Sequence, residues 1–102
     1  MRLEFYSEEK LKKEILGIIG KYLDLSMHKV FFFGSRVAGK GDERSDIDVG
    51  IEGQKAIPSA ALLDIQDEIE NLPTLYKIDI VDFCKVDETF KEVALQNIEM
   101  IS

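Results

Sequence analysis

Apolar residues along this chain recur with two different periods, and each period marks its own kind of element. Leu11, Ile15, Ile18, Ile19 and Tyr22 return at helical spacing, so they line up as one buried stripe. Ser7 stands before them and is followed by Glu8 and Glu9, a capping hydroxyl with acids in the first turn. A helix from about Ser7 to Leu23 is predicted. Val30-Phe31-Phe32-Phe33 is short, aromatic and β-branched, and reads as a buried strand that stops at Gly34. From Gly34 to Ser45 the chain is rich in glycine and charge, the composition of a loop or a short helical turn. Asp46 to Glu52 then alternates strictly, with Ile47, Val49 and Ile51 on one side and Asp46, Asp48, Gly50 and Glu52 on the other. That is a strand with one covered and one open face.

Pro58 suits the first turn of a second helix, whose stripe is Leu62, Ile65, Ile69 and Leu72 and which Pro73 ends. Tyr76 to Phe83 alternates again and sets Asp79 on the side of Lys77 and Val81. Asp87 is placed to cap a last helix with Phe90, Val93, Ala94, Ile98 and Ile101 as its buried side. The second and third strands, joined through the Pro58 helix, have the length of a βαβ crossover and are expected to be parallel. The first two strands share a loop too short for a crossover and are expected to be antiparallel. The predicted fold is α/β in the α+β sense: a small mixed β-sheet with helices packed on one face. With 102 residues, the chain is read as a single domain, 1–102, with little room for a second substrate-binding lobe.

Charge narrows the partners. The formal net charge is -7, and affinity for phosphate backbones comes mainly from Lys and Arg, so DNA is not an expected partner. A small triphosphate is compatible with that charge, because a divalent cation reverses the local field. Cys84 is the only cysteine, which rules out an intrachain disulfide and gives no sign of an oxidising compartment. Met1 to Ser7 has no signal-peptide pattern, and no apolar run approaches the ~20 residues of a membrane span. A cytoplasmic protein without a membrane partner is expected.

The candidate chemistry flanks one loop. Gly34-Ser35-Arg36 directly follows a buried strand. A glycine there lets backbone approach a phosphate closely, and the following hydroxyl and N–H groups can donate to it; a plain tight turn would look the same. Beyond the loop, Asp46 and Asp48 stand at i and i+2 of a strand, so their carboxylates leave the same face, roughly 7 Å apart at their roots. They suit one magnesium ion or a bridged pair, with phosphates and waters completing the shell. A solvated outer face is the plainer alternative, but Asp is a poor strand former and aligned acids repel.

Asp79, on a separate strand, is placed to join that metal site and accept a proton from an incoming hydroxyl. Asp82 faces the other way and is assigned to the exposed surface. The run Gly34 to Gly41 nearly fits a P-loop, but Gly41 occupies the position that needs Ser or Thr, and no long helix follows. His28 has no metal-spaced partner. Cys84 reads as a small apolar packing group, and Tyr6, Tyr22 and Tyr76 as packing residues.

Gly34-Ser35-Arg36-Val37-Ala38-Gly39, Ser45-Asp46-Ile47-Asp48-Val49 and Lys77-Ile78-Asp79-Ile80-Val81-Asp82 together resemble the minimal nucleotidyltransferases of the DNA polymerase β superfamily, the antitoxin-like partners of HEPN-domain proteins. The resemblance spans nearly the whole chain and implies a polymerase β-like palm. It implies that Gly34, Ser35 and Arg36 bind nucleotide, with Arg36 touching phosphate or holding the loop. It implies that Asp46, Asp48 and Asp79 are the catalytic and metal-binding carboxylates of a two-magnesium site with ATP as substrate. Arg44 matches a similar basic role, although a salt bridge is the simpler reading. The helical substrate-binding domain of larger relatives is missing, which points to a separate protein as acceptor.

The implied function is magnesium-dependent transfer of a nucleoside monophosphate, AMP from ATP, to a hydroxyl of a HEPN-type helical partner in a toxin–antitoxin system. One alternative is a non-catalytic nucleotide-binding subunit that neutralises or completes such a partner by contact, using residues such as Val86 and Met100. Another is modification of a small molecule, disfavoured by the short chain.

Overall fold

The computed structural model describes residues 3, 6–39 and 46–101. Arg44, Ser45 and Gly41 lie outside the described residues. The first helix, α1 (Glu8–Ile19), starts where the sequence places it, and the Ser7 hydroxyl accepts from the Lys10 N–H at 3.2 Å. Leu11, Ile15, Ile18 and Ile19 are buried. The helix ends sooner than expected. Gly20 caps it, and its N–H donates to the Leu16 carbonyl at 2.9 Å. Tyr22 therefore falls in the following turn and is 37% exposed instead of joining the stripe. There its hydroxyl and the Lys21 ammonium both donate to Glu68 of the second helix, latching the two helices together.

Two strands follow, β1 (Lys29–Phe33) and β2 (Ile47–Glu52), paired antiparallel as predicted. The next helix, α2 (Ser59–Glu70), has Pro58 at its cap, one position before the first turn proposed for it. Ile65 and Ile69 are buried, while Leu62 and Leu72 pack more loosely on the core. The third strand, β3 (Ile78–Asp82), pairs parallel with β2. The long helices α1 and α2 cover one face of the sheet, over Val30, Phe32, Ile47, Val49, Ile51 and Ile80. This is the helical face expected from the apolar alternation.

The closing segment differs from expectation. The last helix, α3 (Glu88–Ala94), is capped by Asp87, whose Oδ1 accepts from the Phe90 N–H at 2.7 Å. It stops at Leu95. The chain then forms a short strand, β4 (Glu99–Met100), antiparallel to the free side of β1, giving the sheet order β3-β2-β1-β4. Continuing the helix to Ile101 would leave that side of β1 unpaired; as strand, Met100 pairs with Phe31 and the Ile101 N–H donates to the Val30 carbonyl at 2.9 Å. Unpaired buried backbone groups are costly, so the pairing outweighs the helical period. The predicted buried stripe dissolves accordingly: Phe90, Val93 and Ile98 are exposed by 43%, 64% and 37%.

The second face of the sheet carries a smaller core of Phe31, Phe33 and Phe83, with α3 beside it. The rings meet edge to face, with Phe31–Phe83 and Phe33–Phe83 centroids 4.9 and 5.0 Å apart. Gly50 makes this possible, because a Cβ there would lie 2.5 Å from the Phe31 ring and 2.7 Å from the Phe83 ring.

Asp82 corrects its sequence assignment. Only 5% exposed, it accepts from the Ile57 N–H through Oδ2 at 2.8 Å and from the Cys84 N–H through Oδ1 at 2.9 Å. Its carboxylate thus ties the end of β3 to the chain entering α2, satisfying buried donors that no strand reaches. Cys84 is exposed, not packed, and its thiol donates to the Gly53 carbonyl at 3.1 Å. Among the described residues, no helix is long and apolar enough to cross a membrane.

Candidate active site

Strand pairing brings the predicted acids together. In the sheet register Asp48 stands opposite Phe33 of β1 and opposite Asp79 of β3. Neighbouring strands lie about 4.8 Å apart, so two carboxylates from distant parts of the chain share one face. Asp46 lies two residues before Asp48, just ahead of β2. It is exposed, and Lys77 Nζ approaches its Oδ2 to 3.9 Å. Asp48 is half-buried. That burial first, and then the charges of Asp79 and Asp46, push its carboxyl above the usual carboxylate range. A site that raises an acid in this way is one that a cation would relieve.

Gly34 completes the arrangement from above. Its φ is +88°, in the left-handed region that glycine tolerates and other residues avoid. A Cβ at this position would lie 2.2 Å from Asp48 Oδ2. The strand β1 ends here and the chain folds into a tight helical turn, with the Ala38 N–H donating to the Gly34 carbonyl at 3.1 Å. The turn thus passes directly over the carboxylate, and only glycine allows it.

A cleft of about 670 Å³ opens between this turn and α3. Gly34, Ser35, Asp48 and Asp79 line one end. Phe90, Val93, Ala94, Gln96 and Asn97 line the other. The second group was missed by sequence reasoning, which placed Phe90, Val93 and Ala94 inside the core of a longer helix. Arg36 and Asp46 are not on the cleft wall. The Arg36 guanidinium instead lies over the Tyr76 ring, 4.8 Å from its centroid, and so holds the turn against the segment entering β3. His28 and Cys84 are also away from the cleft.

Among the described residues, no three His, Cys, Asp or Glu side chains converge closely enough to cage a metal by themselves. Asp48 and Asp79 side by side, with the charge of Asp46 close enough to act on Asp48, fit a different mode of binding. Magnesium is commonly held by one or two carboxylates while substrate phosphates and waters fill its remaining positions. An all-oxygen donor set with a raised acid suits a hard dication carried in on a triphosphate.

Residues 13–102 match the family described as Polymerase beta, Nucleotidyltransferase. The chain is 26% identical over 90 residues to the probable protein adenylyltransferase MntA of Haemophilus influenzae, an overlap of 86% of this chain and 79% of that protein. It superimposes on the MNT antitoxin in complex with a tri-AMPylated HEPN toxin from Shewanella oneidensis with a TM-score of 0.71 at 11% identity, covering 94% of this chain and 72% of the other. A toxin–antitoxin crystal structure with AMP-PNP gives a TM-score of 0.71 at 14% identity, covering 89% and 72%. At such identities, the likeness to these solved structures is one of fold.

Proposed function

The chain belongs to the Polymerase beta nucleotidyltransferase family, and on that footing we propose that it transfers AMP from ATP to a hydroxyl of a HEPN-type helical protein, acting as its antitoxin. The observation that carries this reading is the register of Asp48 against Asp79 beneath the Gly34 turn. Asp48 and Asp79 at one end of the cleft beneath the Gly34 turn, with Asp46 close by, suit a magnesium triphosphate and are a costly arrangement for a surface with no ligand. The relatives' names, which describe an adenylyltransferase and an AMPylated HEPN toxin, support the choice of nucleotide and acceptor.

In this reading Gly34 and Ser35 hold the triphosphate, the serine by its hydroxyl and the turn by its N–H groups. Asp46 and Asp48 hold magnesium, which when bound neutralises charge on the phosphates and the leaving pyrophosphate. Asp79 contributes to the same ion site and takes the proton from the acceptor hydroxyl. The acceptor oxygen forms a new bond to the α-phosphorus, the bond from that phosphorus to pyrophosphate breaks, and the acceptor's proton ends on Asp79. Arg36 holds the turn through Tyr76. Incubation with Mg-ATP and the protein encoded next to it in the genome should add the mass of AMP to that partner. A folded partner that gains no AMP overturns the proposal.

A second reading has its own observation. Phe90, Val93 and Met100 leave apolar surface exposed along α3 and β4, which suits neutralisation by contact alone. The double variant Asp46→Asn, Asp48→Asn separates the two: transfer requires loss of both AMP addition and neutralisation, whereas contact alone leaves neutralisation intact.

A further inference from the structure

The α3 wall of the cleft is built unlike the carboxylate end, and its features belong together. α3 spans seven residues and buries none of them. It nevertheless turns Phe90 and Val93 toward the cleft, 43% and 64% exposed. Phe90 is the last ring of the aromatic row, with centroids 6.1 Å from Phe33 and 6.0 Å from Phe83. Phe31, Phe33 and Phe83 are buried, so the row ends in a ring open to the cleft. Phe33 is also the residue immediately before Gly34. The aromatic row therefore begins beside the phosphate turn and leads away from it.

Directly after α3, Gln96 and Asn97 line the same wall. Among the described residues neither side-chain amide has a hydrogen-bond partner. The cleft is thus one continuous space of about 670 Å³, polar where it meets Asp48 and apolar with two amides where it meets α3. That lies within the ~300–1,000 Å³ of small-molecule sites, which pair an apolar lining with a few placed polar groups.

We infer that this wall is the base subsite of the nucleotide, where a purine stacks on Phe90 and presents its edge to the amides of Gln96 and Asn97. The inference rests on the triphosphate reading of the Gly34–Asp48 end and adds what that reading lacks, a source of base selection. An aromatic ring offers every base a stacking surface. The amides supply discrimination, since a carboxamide can donate and accept at once and pairs bidentately with adenine N6 and N7. Cytosine also offers a donor and an acceptor, N4 and N3, but on a single smaller ring that stacks less on Phe90 and lies nearer the sugar, so a wall fitted to a purine edge favours adenine.

The test is equilibrium binding to the full chain of three probes with magnesium: AMP-PNP, CTP and tripolyphosphate. The wild type is expected to bind AMP-PNP more tightly than CTP or tripolyphosphate. Phe90→Ala and Phe90→Leu are expected to weaken AMP-PNP binding roughly 5- to 150-fold, the range of one base stacked on one ring, and to leave tripolyphosphate unchanged. Phe90→Tyr keeps the ring and the affinity. Gln96→Ala with Asn97→Ala is expected to erase the preference for AMP-PNP over CTP. Thermal melting confirms that each variant is folded.

If Phe90→Leu, which preserves apolar packing without the ring, binds AMP-PNP as the wild type does, the inference is overturned and the proposed function stands. It is likewise overturned if wild type binds tripolyphosphate as tightly as AMP-PNP. Failure of wild type to bind any of the three overturns the triphosphate reading, and the base subsite with it.

Discussion

A single methyl group at position 34 separates two consequences that most active-site substitutions confound. Gly34→Ala forces an alanine to φ +88°, and a left-handed backbone costs a residue with a Cβ about 1–2 kcal/mol. At about 4–8 °C per kcal/mol for a domain near this size, the melting temperature should fall by roughly 4–16 °C. The second consequence is local. The new Cβ would start 2.2 Å from Asp48 Oδ2 and 3.2 Å from its Cγ, so the carboxylate must rotate away or the turn must lift. A displacement of ~1 Å at a reacting centre can cost about 100-fold in rate.

Gly39→Ala is the matched control, because Gly39 has φ +76° and a Cβ there meets nothing within 4 Å. Both variants should melt lower by the left-handed strain, Gly34→Ala by more because its Cβ also displaces Asp48 or the turn. Only Gly34→Ala should lose AMP transfer, by about 100-fold, when partner modification is followed below both melting temperatures. Equal transfer by the two variants would refute the claim that the approach of Gly34 to Asp48 shapes the site.

Three further outcomes are expected. Asp48 carries a carboxyl raised by burial and by Asp79 and Asp46, so the folded state binds its proton more tightly than the unfolded chain. Its contribution is therefore favourable at low pH and is lost as pH climbs from the unfolded carboxylate range through the folded value. In chelator, Asp48→Asn should melt higher than wild type above that window, show a flatter pH dependence within it, and lose both transfer and stabilisation by magnesium; a lower melting point across the pH series would contradict this. Asp82→Asn replaces an acceptor that faces two backbone N–H groups with an amide that can serve only one, at about 1–3 kcal/mol. Thermal denaturation should detect the loss, while nucleotide affinity of the folded protein stays unchanged. Arg36→Ala and Tyr76→Ala each remove the stacked pair, worth about 0.5–1 kcal/mol, and should each weaken nucleotide binding in a titration; an effect at Arg36 far above that at Tyr76 would instead indicate direct phosphate contact.

What could be read from sequence depended on whether the responsible interaction was local. The alternation from Asp46 to Glu52 has a period of two, and that alone tells which side chains share a face. The pairing of β1 with β2, and of β2 with β3, followed from loop length, because chain connectivity limits the options. Asp79 was set beside the other acids on that basis, and the register places it opposite Asp48. The end of the chain was less legible. Phe90, Val93, Ala94, Ile98 and Ile101 fit a helical stripe, and nothing nearby signals that β1 has an open side. The vacancy beside Phe31 and Val30 exists only once the sheet is assembled. Asp82 was misread for the same reason: its partners are the N–H of Ile57, 25 positions earlier, and that of Cys84. An acid in a strand looks like a surface residue until the backbone donors it must satisfy are known.

The two acids of β3 show how one residue type divides between structure and chemistry. Asp79 and Asp82 are three apart and so leave opposite faces of the strand. Asp82 points to the side where burial is complete, and two backbone donors compensate its charge. Asp79 points to the side where the nearest acid is Asp48, which adds a like charge in place of a donor. The fold therefore settles the buried carboxylate and leaves the open ones in conflict. Neighbouring strands, each stabilised by its apolar side facing α1 and α2, hold the acids at this separation. Binding of the magnesium ion of a magnesium triphosphate would relieve that repulsion, so the energy spent in assembling the acids becomes selectivity for a dication brought in with its phosphates.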